Sequence, residues 1–396
     1  MNPIGLIIAL FVSNTVSDQV LPFKIKFEWS QIEYEFNSEE ERSEAISNGT
    51  FDIGNIQPID AEYYYDRIKQ KERVFITIPR FPTQGVASTL NTVTKKTING
   101  NPVLRPYPSW SWQISPEKCN YERIVSVFRV WIDECKRLWV LDTGVVGDSQ
   151  VCPPQILAFD LSTDKLIIKY EIPLGSVQPT YVTPIVEVER HHNRKFCQDS
   201  WVYAADVSGS LLVYSLRQNK SWSFRDKSFD ANPAYAVYNV SGDSFEFADG
   251  IFALALTPYP AHKKLFFHAL AGVSESWVHT RDLKVPVNRS DIYHTFPTTR
   301  DEQSAAQAFD SKGNLYFSLL SSIEIVSWNF KNPYEKKYWK VVGNDKITMQ
   351  FPSGLKVSRG KNNQEQLWVF ATALQRWASD NLNPNVTNFR LLYANL

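Results

Sequence analysis

The amino-acid sequence predicts an all-β fold, a six-bladed β-propeller of four-stranded antiparallel blades whose ring is closed by the N-terminal strand. The main observation is a short β-rich pattern that occurs six times along the 396 residues. Its central residues are Phe75, Trp139, Val202, Phe266, Tyr316 and Trp368. They are 64, 63, 64, 50 and 52 positions apart, a spacing that suits a four-stranded unit with its loops. A jelly roll or two sandwiches would explain the strands but not the sixfold repeat.

The chain begins with a segment typical of a secretory signal peptide. Residues 4–12 form an apolar run of nine, too short to span a bilayer as a helix. Thr15 and Ser17 occupy the minus-three and minus-one positions of a cut before Asp18. We therefore predict a signal peptide over residues 1–17 and one secreted propeller domain over residues 18–396. A buried N-terminal strand is the alternative for this run. No later stretch is apolar over 18 residues, so we expect no membrane partner.

Two strand patterns near the ends of the chain lack partners of their own. One covers residues 24–36 and the other residues 389–396. Because a propeller ring must close, we expect both to lie in the same blade. Between the first of them and the first repeat, the charged stretch 38–47 predicts one short surface helix.

The second and fifth copies of the repeat show the four-strand unit in full. In the second copy, strand patterns occupy residues 124–133, 137–142, 155–161 and 165–173, with a tight turn at 162–164. In the fifth they occupy residues 304–310, 314–320, 323–330 and 336–343, with a Gly-containing turn at 310–314. Blades of this kind bury both faces against their neighbours, which explains aromatic-rich strands without a separate core domain.

The composition excludes two classes of protein. The chain has 42 Lys and Arg against 42 Asp and Glu, so its formal net charge is zero and we expect no broad binding to nucleic acid. It also has 12 Trp, 18 Tyr and 24 Phe. Disordered chains are depleted in such residues, so we expect most of this chain to fold.

The four cysteines are Cys119, Cys135, Cys152 and Cys197, and none has the CxxC spacing of a zinc site. Two disulfides are the better interpretation. Cys119 and Cys135 flank the strand 124–133, whose ends are roughly 30 Å apart, too far for one disulfide. Cys152 returns to the end where Cys119 lies, whereas Cys135 and Cys197 each precede a Trp by four residues in neighbouring copies. We favour Cys119–Cys152 with Cys135–Cys197; the crossed set, Cys119–Cys197 with Cys135–Cys152, is the alternative.

Five Asn-X-Ser/Thr triplets are candidate N-glycosylation sites in surface loops. Their acceptor residues are Asn48, Asn219, Asn239, Asn288 and Asn385.

Several motifs together resemble the yellow/major royal jelly protein family. The longest are VFRVWIDECKRLWVLDTGVVG at 127–147 and CPPQILAFDL at 152–161. Shorter ones occur in the family order over residues 20–396: VFITIPRF (74–81), RPYPSWSW (105–112), GIFALALTPY (250–259), LFFHAL (265–270) and QAFDSKGNLYFSLL (307–320). Within the family, this short chain with its predicted signal peptide is most similar to the yellow-related salivary proteins of blood-feeding sand flies. The fold that this resemblance implies is the same six-bladed propeller.

The resemblance implies a binding function. Salivary members of the family bind biogenic amines such as serotonin, histamine and catecholamines in the central channel, and so remove host mediators of haemostasis and inflammation. Such a site needs an aromatic slot for the ring and acceptors for the ammonium group. By this resemblance we expect a secreted, salivary, monomeric binder without a cofactor or a metal ion.

The resemblance also implies site residues in the last blade. In that family the amine is held by a Thr in a Phe-x-Thr-Gly segment, by an Asn after the final repeat strand, and by the backbone carbonyl of a Phe two residues later. Ser353 corresponds to the Thr, Thr372 to the Asn and Leu374 to the Phe. A Thr hydroxyl is shorter than an Asn amide and would need a water bridge to the ammonium. Alternatively, both hydroxyls are ordinary groups bonded at strand ends.

The alternative function is an enzyme. Some family members are associated with dopachrome conversion, an isomerisation that needs a proton acceptor. The histidines, His191, His192, His262, His268, His279 and His294, have no spacing that links them into a site, and we expect His268 to be a core residue. Asp133, Asp142 and Asp206 end strands, where they cap turns or line a propeller mouth. No GxSxG, HExxH, P-loop or dinucleotide motif occurs, so we favour binding over catalysis.

Overall fold

The structure, a computed structural model, describes residues 20–113, 119, 122–175, 178–190, 197–260 and 263–396. Its strands form six radial antiparallel sheets, which confirms the six-bladed β-propeller. The predicted signal peptide, residues 1–17, lies outside the described residues, as do His191, His192 and His262. In the described part of the chain, no helix is long and apolar enough to cross a lipid bilayer.

The first half of the chain supplies three blades. The elements β1 (Lys24–Trp29), β2 (Glu33–Tyr34) and α1 (Glu39–Ser47) precede them. Blade 1 contains β3 (Asp60–Asp66), β4 (Lys71–Thr77), β5 (Leu90–Ile98) and β6 (Asn101–Pro106). Blade 2 contains β7 (Val127–Ile132), β8 (Arg137–Asp142), a short ribbon of β9 (Val145–Val146) and β10 (Ser149–Gln150), then β11 (Gln155–Asp160) and β12 (Lys165–Glu171). Blade 3 contains β13 (Tyr181–Val188), β14 (Ser200–Asp206), β15 (Ser210–Ser215) and β16 (Lys220–Phe224).

The second half supplies the other three. A ribbon of β17 (Val237–Val240) and β18 (Asp243–Glu246) leads into blade 4, which contains β19 (Ile251–Leu256), β20 (Lys264–Ala269), β21 (Ser276–His279), the short helix α2 (Thr280–Leu283) and β22 (His294–Thr295). Blade 5 contains β23 (Gln307–Phe309), β24 (Asn314–Leu319), β25 (Glu324–Asn329) and β26 (Lys340–Gly343). Blade 6 contains β27 (Pro352–Arg359), β28 (Glu365–Ala371), the helix α3 (Leu374–Ala378) and β29 (Phe389–Asn395), and it is completed by β1.

The six central residues of the repeat occupy the same place in every blade. Each lies on the second strand from the axis, namely β4, β8, β14, β20, β24 or β28. This strand has a hydrogen-bonded partner on either side and a neighbouring blade on either face, so β8 and β14 are buried at every position. The outermost strand β12, by contrast, alternates between exposed and half-buried residues. The sequence repeat therefore corresponds to the most buried strand of each blade.

The ring closes as predicted, with one difference. Strand β1 pairs antiparallel with β29 and so adds the N-terminus to blade 6. The predicted strand 24–36, however, is not continuous: β1 ends at Trp29, and β2 pairs in parallel with β6 of blade 1. The Asn101 side-chain oxygen accepts from the backbone N–H of Ser30 at 2.7 Å, which turns the chain out of blade 6. The N-terminal segment thus bridges blades 6 and 1.

Two further predictions from the sequence are confirmed. Helix α1 covers the charged stretch, and its N-terminus is capped by Ser38, whose hydroxyl accepts from the Glu41 N–H at 3.2 Å. The disulfides are Cys119–Cys152, within blade 2, and Cys135–Cys197, between blades 2 and 3. Their Cα–Cα distances are 5.6 and 5.9 Å. The side chains of all five candidate glycosylation residues are exposed, and their modification stays a prediction.

The six inner strands, β3, β7, β13, β19, β23 and β27, surround a central channel. We call the face at which these strands begin the upper face and the opposite one the lower face. The ribbons β9–β10 and β17–β18 and the helix α3 all lie in upper-face connections. They build a wall around the upper end of the channel.

Candidate functional site

The candidate site is a cavity of about 490 Å³ at the upper end of the channel, which we call the upper cavity. Residues from blades 1, 2, 3, 4 and 6 line it, so it lies on the propeller axis. Its apolar surface includes five phenylalanine side chains: Phe81, Phe128, Phe247, Phe252 and Phe351. The rings of Phe81 and Phe128 meet edge to face, with their centroids 5.0 Å apart. The size and the aromatic lining are those of a small-molecule site.

Arg129 forms the floor of the upper cavity. Its Nη1 donates to Thr183 Oγ1 at 2.6 Å, and its Nη2 donates to the backbone carbonyl of Ser353 at 2.7 Å. The guanidinium carbon lies 4.5 Å from the centre of the Phe252 ring. Burial lowers the pKa of Arg129 to about 10, so it remains a cation at neutral pH. The side chain therefore connects blades 2, 3 and 6 beneath the cavity.

A second cation, Arg80, lies in the wall of the cavity. Its guanidinium donates to the backbone carbonyls of Val86 at 3.0 Å, Ala87 at 3.2 Å and Val125. Burial lowers the pKa of Arg80 as well. These bonds hold the guanidinium against the main chain, so Arg80 positions the upper loops of blades 1 and 2.

Two carboxylates line the cavity, and they differ in environment. Asp148 is exposed at the rim, whereas Asp249, just before β19, is half-buried. Among the described residues, no group donates a hydrogen bond to the Asp249 carboxylate or forms an ion pair with it. Burial raises the pKa of Asp249 to about 6. A half-buried carboxylate without a partner is thus available to whatever enters the cavity.

The structure brings two of the three predicted site residues to the cavity. Ser353, on β27, is 2% exposed and donates its hydroxyl to the carbonyl of Ile59 at 2.5 Å. Leu374 begins α3 and also lines the cavity. Thr372 is fully buried and is not among the lining residues. Its hydroxyl has no hydrogen-bond partner within the described part of the chain.

The other residues that the sequence singled out have structural contacts. His268 is fully buried between Glu275 at 2.8 Å and the carbonyl of Ser304 at 3.1 Å, as expected of a core residue. Burial and the nearby Arg300 lower the pKa of His268, which keeps it neutral. Its two described counterparts, His279 and His294, lie against Trp277 on the outer strands of blade 4. None of the described histidines lines the upper cavity.

The strand-end aspartates cap turns. Asp142 pairs with Arg123 at 2.9 Å and accepts from the backbone N–H groups of Ser126 and Gly144. Asp206 accepts from the hydroxyls of Ser208 and Ser210. Asp133 binds Arg137 and Trp139 and also lies at the lower mouth of the channel. Within the described ranges, no group of three or more His, Cys, Asp or Glu is arranged to hold a metal ion.

Below Arg129 the channel is filled by paired charges. Lys356 is buried, with its Nζ 3.1 Å from Asp60, 3.4 Å from Glu62 and 2.7 Å from the carbonyl of Val130. Burial raises the pKa of Glu62 to about 7, against the opposing effect of Lys356. This group connects β27, β3 and β7, the inner strands of blades 6, 1 and 2.

A larger cleft of about 920 Å³ lies between the blade 3–4 connection and blade 4. Its lining consists mainly of surface hydroxyls and carboxylates, with Tyr293 as its single aromatic residue among those described. The upper cavity, which combines aromatic rings with buried polar groups on the propeller axis, is the better candidate for a specific site.

Sequence comparison identifies relatives over the whole propeller. A family profile described as Major royal jelly protein matches residues 125–396. Major royal jelly protein 9 of Apis mellifera is 34% identical over 94% of this chain and 87% of its own length. Protein yellow of Drosophila melanogaster is 29% identical over 99% of this chain and 72% of its own length. Protein yellow of Drosophila guanche is 30% identical over 99% of this chain and 69% of its own length.

Proposed function

The chain belongs to the major royal jelly protein family, and we propose that it binds small biogenic amines such as serotonin, histamine and catecholamines in the upper cavity. The observation that carries this proposal is the set of five phenylalanine side chains around an axial cavity of about 490 Å³. Aromatic faces attract organic cations as well as rings, and a volume of this size suits a ligand of one or two rings.

The predicted residues supply part of the polar contact. The hydroxyl proton of Ser353 is directed to the Ile59 carbonyl, which leaves the hydroxyl oxygen free to accept from an ammonium group. Leu374 and Ser353 lie in the same cavity wall formed by blade 6. Thr372 is buried behind this wall and does not line the cavity. Its hydroxyl therefore contacts the ligand through a bridging water, as expected for a side chain shorter than the Asn of the family.

Secretion is consistent with the cysteine chemistry. All four cysteines form disulfides, which persist in oxidising extracellular environments. Together with the predicted signal peptide and the five exposed glycosylation candidates, this supports a secreted glycoprotein. A monomeric scavenger of host amines in saliva is the role that we propose for it.

Calorimetric titration with serotonin, histamine, noradrenaline and dopamine tests the proposal. We expect one ligand per chain, and we expect ethanolamine, which has an amine but no ring, to bind far more weakly because it leaves the phenylalanine rings unfilled. Absence of heat with all four aromatic or heteroaromatic amines would favour a non-binding, structural role.

A dopachrome-conversion isomerase is the second candidate. The observation that favours it is Asp249, because a carboxyl group with a pKa of about 6 is able to accept a proton near neutrality. Incubation of the purified protein with dopachrome tests this candidate: accelerated product formation supports the isomerase, and an unchanged rate rules it out.

A further inference from the structure

Asp249 is a half-buried charged group of the upper cavity whose side chain holds no part of the described fold together. Its backbone carbonyl accepts from the Ala271 N–H at 2.9 Å, but its side chain has no hydrogen bond or ion pair among the described residues. Other buried carboxylates of the described chain have partners: Asp142 binds Arg123, Glu275 binds Arg300, and Asp206 accepts from two serine hydroxyls. A desolvated carboxylate without a partner reduces the stability of the fold, and such residues are concentrated at functional sites.

The neighbouring charges do not supply the missing partner. The titratable groups that face the cavity or Asp249 are Asp148, Arg80, Arg129 and, from β17, Tyr238. Both guanidinium groups are bound to backbone carbonyls, and the exposed carboxylate of Asp148 carries the same charge as Asp249. Tyr238 stays neutral because burial raises its pKa well above the ordinary range. Asp249 is therefore the carboxylate of the cavity that has neither a described partner nor full exposure to water.

We infer that Asp249 binds the ammonium group of the ligand and makes the upper cavity selective for protonated amines over neutral or acidic ring compounds. This inference rests on the proposed function, since it assigns a residue and a ligand charge to the same cavity. The five phenylalanines alone would accept any flat ring of suitable size. An ion pair with Asp249 adds attraction that only a cation receives, and Ser353 of blade 6 supplies a neutral acceptor in the same cavity.

The ion pair predicts a pH dependence of known sign. Burial raises the pKa of Asp249 to about 6, so this carboxyl group becomes neutral as the pH falls below that value. An alkyl ammonium group stays protonated throughout this range, since its pKa resembles that of Lys, about 10. Affinity for the amine is therefore full at pH 7.5 and falls as the pH is lowered through about 6.

The test compares tryptamine with tryptophol, two indoles that differ in an ammonium group against a hydroxyl group. For the wild type at pH 7.5 we expect tryptamine to bind more tightly. Asp249→Asn, which keeps the side-chain shape, is expected to weaken tryptamine roughly tenfold to a hundredfold and leave tryptophol unchanged. Asp380→Asn removes the same charge from an exposed position outside the cavity and is the matched control, with an expected change of less than about twofold because exposed charges are well screened.

A pH series separates a ligand contact from a structural effect. Wild-type affinity for tryptamine is expected to fall between pH 7 and pH 5, and that of Asp249→Asn to remain flat. Asp249→Glu, which keeps the charge, should retain the preference for tryptamine and serves if the Asn variant does not fold. Equal tryptamine binding by wild type and Asp249→Asn would overturn the role of Asp249 while leaving the proposed function intact. Absence of binding of every amine by the wild type would overturn both.

Discussion

The lower half of the central channel contains paired charges, whereas the upper half contains a carboxylate without a described partner. In the lower half, Lys356 lies between Asp60 and Glu62 and also donates to the carbonyl of Val130. In the upper half, Asp249 faces a space lined by phenylalanine rings and has no partner within the described residues. Arg129 separates the two halves. The lower charges hold inner strands together, whereas we propose that the upper charge binds a ligand.

The position of the lower group explains why pairing matters there. Lys356 belongs to β27 of blade 6, Asp60 and Glu62 belong to β3 of blade 1, and Val130 belongs to β7 of blade 2. The ring closes between blades 6 and 1, where two parts of the chain distant in sequence must meet. A buried charge network at this joint specifies which strands face each other, and removal of one partner leaves the others unpaired in the interior.

The largest effect is therefore expected from Lys356→Met. This variant leaves Asp60 and Glu62 without their cation, and breaking a buried ion pair in this way costs about 3–5 kcal/mol of unfolding free energy. Denaturant titration measures the loss. Lys340→Met, at an exposed position of β26, is the matched control and should change little. Adding Asp60→Asn to Lys356→Met should restore part of the stability, because it removes the unpaired charge. An unchanged unfolding midpoint in Lys356→Met would mean that the lower group does not hold the ring.

In the upper half, by contrast, removal of a charge is expected to increase the unfolding free energy. Burial raises the pKa of Asp249 from 3.8 to about 6. The buried carboxyl group is therefore neutral below pH 4 and does not destabilise the fold there, and the unfolding free energy falls as the pH rises to about 6. Asp249→Asn removes this loss and should increase the unfolding free energy at pH 7.5 by about 1–2 kcal/mol. The difference from the wild type should disappear near pH 4. A destabilised Asn variant at pH 7.5 would show that Asp249 has a structural partner after all.

The sequence predicts the ring better than the site, for a physical reason. The sixfold repeat is visible because one strand of each blade is buried on both faces, which requires apolar and aromatic residues at regular spacing. The disulfide pairing follows from strand direction in the same way. The break between β1 and β2 was missed because it depends on Asn101, about 70 residues away. No local pattern reports such a contact.

Asp249 was missed for a related reason. In sequence it is an Asp-Gly pair before a strand, which is the ordinary signature of a turn. Its significance depends on Phe128 and Phe351, which are more than 100 residues away in opposite directions and reach the same cavity only in the folded ring. The only available signal was its place directly before an inner strand, where side chains face the upper mouth. Ser353 and Leu374 were predicted through the family resemblance and line the upper cavity, whereas Thr372 is buried and does not line it.

The smallest effects are expected within blade 6, where Ser353 and Thr372 should differ. Ser353 lines the upper cavity, so Ser353→Ala should weaken serotonin binding roughly tenfold through the loss of one hydrogen bond to a charged group. Thr372→Val replaces a buried hydroxyl that has no partner in the described chain by a methyl group of the same shape. It should leave stability unchanged or raised, and it should change affinity by less than about threefold, because any contact passes through a water. Calorimetry at pH 7.5 gives both affinities. Equal losses of affinity in the two variants would show that Thr372 contacts the ligand directly and that the upper cavity extends behind β27. The polar wall of blade 6, rather than Asp249 alone, would then bind the ammonium group.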